Sequence, residues 1–84
     1  MPYNDNIVQE LNVLNLFSLN STQEGIKVHS SAKPEVIAAT QRLYDKGLIT
    51  QTDGGYLTPL GHDAAEHSQT LLTILNTENR QPIS

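Results

Sequence analysis

The sequence predicts a mainly α domain that carries a small β-hairpin. Apolar residues recur at helical spacing in three separate stretches, and two short β-prone runs flank Thr52-Asp53-Gly54-Gly55. The breaks between these stretches fall on glycine, proline or residues that cap helices.

The first helix is expected near residues 5–17. Asn4 or Asp5 can accept one of its orphan N–H groups, and Ile7, Leu11, Leu14 and Phe17, joined by Val8, supply an apolar face. Ser18-Leu19-Asn20 ends it. Ser21-Thr22-Gln23-Glu24 has the order of a capping box and predicts the start of a short second helix. Gly25 weakens any helix, however, and Ile26-Lys27-Val28 alternates like a strand, so residues 25–29 are compatible with either state.

Pro34 suits a first helical turn, and Val36, Ala39, Thr40 and Leu43 line one face of a helix over 34–46. Gly47 can stop it in a left-handed conformation while Leu48 folds back onto the last turn. Residues 48–51 and 56–58 then pair antiparallel, with the Asp-Gly and Gly-Gly steps supplying positive φ for the turn. Thr58-Pro59 opens a last helix, 59–75, and the polar residues 76–84 are expected to be a disordered tail. Residues 1–75 thus make one domain. A helix, a short helix or strand, a second long helix and a hairpin follow the order of a winged helix-turn-helix.

Particular residues carry that likeness. Val36 through Ile49 resembles the recognition helix of bacterial transcription regulators, with its Lys46-Gly47-Leu48-Ile49 exit, and Tyr56-Leu57-Thr58-Pro59-Leu60-Gly61 is similar to their wing strand. The whole chain also resembles a small bacterial family of uncharacterised proteins assigned to DNA binding, most closely at Glu24–His29 and Arg42–Thr58. The resemblance implies a winged helix-turn-helix fold and a role in transcription regulation on double-stranded DNA.

Charge sets limits on that role. The chain of 84 residues carries a net charge of −4, which argues against a generic nucleic-acid coat. Lys27, Lys33, Arg42 and Lys46 are nevertheless concentrated in one central segment, against Glu35 and Asp45. These cations, with the Ser31 hydroxyl, are the candidate phosphate contacts. If Val36, Thr40 and Leu43 face inward, the outward positions are Glu35, Ile37, Ala38 and Gln41. Gln41 can pair with adenine and Glu35 can accept from cytosine, but no arginine is placed to read guanine. Lys27, Ser31, Lys33, Glu35, Gln41, Arg42 and Lys46 therefore form the candidate DNA-binding set, with weak base readout. The rival reading is a protein-interaction module that docks through Ile37 and Ala38.

Other chemistries find little support. There is no cysteine, so disulfides and Cys-based zinc sites are excluded. His62/Glu66 and Asp63/His67 are i,i+4 pairs on the last helix, but no third ligand accompanies them, and a solvated self-pairing surface is the simpler reading. The serines and histidines lack a triad-like arrangement and no phosphate loop occurs, so neither an enzyme nor a cofactor is expected. No apolar run is long enough to span a membrane, and the amino terminus lacks a basic start and an apolar signal core, which fits the cytoplasm. Leu71, Leu72, Ile74 and Leu75 crowd the end of the last helix. They exceed what one short partner helix covers, and they are the candidate homodimer interface.

Overall fold

The computed structural model describes residues 3–20 and 24–77. Helices α1 (Asp5–Leu14), α2 (Pro34–Asp45) and α3 (Pro59–Leu75) and strands β1 (Ile26–Lys27), β2 (Ile49–Gln51) and β3 (Gly54–Leu57) follow the order α1-β1-α2-β2-β3-α3. The fold is mainly helical with a small antiparallel sheet. The sheet has three strands, not two, in the order β1-β3-β2.

Helix α1 starts where expected, with the Asn4 side chain accepting from the Ile7 N–H at 2.8 Å. It ends at Leu14, short of Phe17. Two tight turns, from Leu16 N–H to Val13 C=O and from Phe17 N–H to Leu14 C=O, tuck Phe17 into the core. The buried face also differs from the expected one. Glu10, Val13, Leu14 and Phe17 are buried, whereas Ile7 and Leu11 are only half-buried and Val8 is exposed. The helix is rotated so that Glu10 meets α2.

Of the expected second helix, Ser21, Thr22 and Gln23 lie outside the described residues, and Glu24 and Gly25 are not helical. Ile26 and Lys27 form β1, so the strand alternative holds for these two residues. β1 pairs with β3 in the register Ile26↔Gly55 and Lys27↔Gly54. β2 pairs on the other side, Ile49↔Leu57 and Gln51↔Gly54, with an irregularity between them.

The glycines of the hairpin play a different part from the expected one. Thr52 and Asp53 make the turn, while Gly54 (φ +131°) and Gly55 (φ +72°) lie inside β3. Both are buried between the flanking strands. A Cβ on Gly54 would overlap the Ile26 carbonyl, and one on Gly55 would overlap the Thr50 hydroxyl. Two positions without side chains let β1 and β2 close on the central strand.

Helix α2 closes as the sequence predicts. Gly47 has φ +80°, its N–H bonds to Tyr44 C=O at 3.0 Å, and the Leu48 N–H reaches Leu43 C=O at 2.9 Å, which together make a Schellman motif. Thr58 joins this end to α3. Its hydroxyl donates to Gly47 C=O at 2.6 Å and accepts from Gly61 N–H at 3.0 Å, and its own N–H donates to Leu48 C=O at 3.0 Å. Gly61 packs so closely on the Leu48 backbone that a Cβ would overlap its carbonyl group. Along α3, the Ser68 hydroxyl donates to Asn15 Oδ1 at 2.8 Å and the Gln69 amide to Phe17 C=O at 2.7 Å. The core inside this frame comprises Val13, Leu14, Phe17, Ala39, Leu43, Ile49 and Ala65. The expected tail lies outside the described residues from Glu78 onward, while Asn76 caps α3.

The two glycines that flank the Thr58 junction should respond differently to a methyl group. Gly61→Ala forces backbone apart and should cost about 2–3 kcal/mol. Gly47→Ala meets open space and bears only left-handed strain, about 1 kcal/mol. Urea unfolding of both variants checks the order, and an equal loss would contradict the close α3–Leu48 approach.

Candidate functional site

Helix geometry divides the cations of α2 from its outward residues. Arg42 and Lys46 are i,i+4 and share the flank that meets α1. There Arg42 Nε donates to Glu10 Oε2 at 2.7 Å, its guanidinium also reaches the Asn6 carbonyl at 3.2 Å, and Lys46 Nζ donates to Glu10 Oε1. Both carboxylate oxygens are thus occupied. The Glu10 side chain is 7% exposed, against 30% for Arg42 and 48% for Lys46. Burial pushes the Glu10 carboxyl up, but the hydrogen bonds from Lys46 and Arg42, with their two charges, outweigh it and hold it below the ordinary carboxylate range.

Two of the expected phosphate contacts thus also neutralise a buried carboxylate. Arg42 and Lys46 remain partly exposed, at 30% and 48%, and keep donors that Glu10 does not use. The partner itself, Glu10, was not among the candidates. The sign of it in the sequence is the spacing Glu10, Val13, Leu14, Phe17, a helical stripe as regular as the one through Ile7 and Leu11.

The other expected residues lie elsewhere. Glu35, Ala38 and Gln41 are exposed on α2, and Ile37 is half-buried. Ile37, Gln41 and the exposed Tyr44 stand at i, i+4 and i+7, on the flank away from Arg42. A shallow groove of about 420 Å³ adjoins Ile37 and is lined also by Lys27, Val28, His29, Ser30 and Asp53. The Val28 N–H to Asp53 C=O bond, 2.7 Å, fixes the two sides of the hairpin end of this groove. Lys27, Ser31 and Lys33 are exposed, and neither lysine forms a salt bridge among the described residues. The face thus offers two cations close to Asp53 and Glu35, with no arginine.

His62 and Asp63 line a cleft of about 430 Å³ with Glu24 and Thr58. Among the described residues no three His, Cys, Asp or Glu side chains come together to hold an ion. The candidate dimer residues Leu71, Leu72, Ile74 and Leu75 are between 45% and 71% exposed, and none of them is in the core. No helix among the described residues is long and apolar enough to cross a membrane.

The Glu10 cluster generates a pH prediction. A carboxyl whose folded pKa is depressed adds stability above its unfolded value, about 4.3, and loses it as pH falls through the folded value. Its two partners are partly solvated, so the loss on Glu10→Gln at neutral pH should be about 1–3 kcal/mol, below that of a fully buried pair. The stability gap between wild type and Glu10→Gln should then narrow as pH drops below about 4.3, measured by thermal unfolding. A gap constant from pH 7 to pH 3 would show that the ion pairs contribute nothing.

No curated protein and no solved structure matches this chain. A family model matches residues 1–76, which takes in α1, the sheet, α2 and all of α3. The chain belongs to DUF5669, a family of unknown function.

Proposed function

We propose that this domain works by binding, as a protein-interaction module on a winged-helix-type frame, with the outward flank of α2 as its docking face. Support for the frame comes from the order of α2, a hairpin and α3, joined through Gly47 and Thr58. The observation that carries the choice of partner is the engagement of both Arg42 and Lys46 by Glu10. The other outward residues of α2 are Glu35, Ile37, Ala38, Gln41, Tyr44 and Asp45, which include two acids and no further cation. Two acids disfavour phosphate at such a surface, whereas an exposed tyrosine on the flank of Ile37 suits a protein contact. The groove that adjoins Ile37, lined by Lys27, Val28, His29, Ser30 and Asp53, adds one lysine and one acid to that surface.

A second reading keeps double-stranded DNA as the partner. Lys27 and Lys33, with Ser31, favour it, because they are exposed on the approach to the α2 N-terminus, where a backbone phosphate would lie in a winged-helix complex. With two cations the logarithmic salt slope would be about −2.

The two readings part in one experiment. Fluorescence anisotropy with a labelled duplex at low salt should give no saturable binding. A photo-crosslinking residue at position 38 should give a discrete protein adduct in cells, lost on Tyr44→Ala. Saturable duplex binding that Lys33→Ala abolishes and Tyr44→Ala leaves intact would move the assignment to DNA.

A further inference from the structure

The last two turns of α3 stand apart from the rest of the chain. The buried residues of this helix, Gly61, Ala65 and Ser68, and its side-chain bonds to Asn15 and Phe17 all fall before Thr70. From Thr70 to Thr77 every residue is exposed. Four of those eight are large aliphatics, and none is ionisable.

We propose that this end of α3 is a self-association surface and that its occupant is a second copy of this chain. Charge selects that occupant. Copies with a net charge of −4 repel one another over most of their surface, and the segment from Thr70 to Thr77 is a place where two can meet with no acid opposed to an acid. A partner chosen by charge would find nothing there to read.

The patch carries both a ridge and a groove. Leu71 and Leu75, at i,i+4, form a ridge on one side of α3. On the other side lies a groove of about 440 Å³, lined by Leu19, Asn20, Gln69, Thr73 and Ile74 among others. Leu16, also exposed, lies in the turn that Asn15 and Phe17 tie to Ser68 and Gln69. Ridge and groove on one patch are what a two-fold contact requires, since each copy gives and receives the same residues.

Sedimentation equilibrium of the full chain at tens of micromolar should give twice the chain mass. Leu71→Glu and Leu75→Glu should each return it to the monomer mass with an unchanged far-ultraviolet spectrum, because neither side chain is part of the core. Tyr44→Ala should leave the mass doubled, which separates this surface from the α2 face. In this cysteine-free chain, Ile74→Cys should oxidise to a covalent dimer at least tenfold faster than Asp63→Cys. A wild-type monomer, whether free or bound to phosphatidylcholine vesicles, would overturn the proposal. So would a dimer that survives both glutamates, or equal oxidation rates at positions 74 and 63.

Discussion

A carboxylate taken out of water must be neutralised where it is buried, and Glu10 imposes that requirement on the packing of α1 against α2. Its two oxygens take one donor each, from Arg42 and Lys46, so neither helix can rotate or slide far without stranding a charge. The orientation of α1 follows. Val13, Leu14 and Phe17 share the Glu10 face and enter the core, while Val8 is turned out to solvent. A contact that serves the fold in this way engages two of the five bases of the chain. The character of the outward α2 face is therefore set by a residue on another helix.

The opposite end of α2 is governed by backbone. Gly47, Leu48, Thr58 and Gly61 make a junction in which one threonine hydroxyl serves two elements, closing the α2 exit and capping α3. The Leu48 carbonyl accepts from Thr58 and sits against Gly61, so the start of α3 has little freedom relative to β2. The glycine pair in β3 serves the sheet in the same manner, through absent side chains. These contacts matter in a domain of this size, where the apolar core is small and stability depends on geometry that is satisfied locally.

Among the described residues, attachment of both ends of the hairpin leaves two surfaces exposed. One is the α2 flank with Tyr44 and the groove at Val28, and the other is the charge-free end of α3. They lie on different elements and differ in composition, the first mixed and acidic, the second aliphatic and neutral.

The sequence by itself determined the elements governed by local chemistry. Asn4, Pro34, Gly47, Thr58 and Pro59 each act within a few residues of their own position, so the starts of the three helices and the exit of α2 were legible from residue type and spacing. The inward face of α2 was legible for the same reason, because one helical period places Val36, Ala39, Thr40 and Leu43 together. The exposed end of α3 was legible as an excess of aliphatics. Tertiary structure decided what depends on residues far apart in the chain. The strand state of Ile26 and Lys27 exists through pairing with Gly54 and Gly55, and those two glycines took positions in the strand once β1 lay beside them. Two apolar stripes compete on α1, and the buried one was selected by Arg42 and Lys46, more than thirty residues away. The charge available to a partner was fixed by the same contact, since a formal count cannot tell a solvated cation from one that neutralises a buried acid.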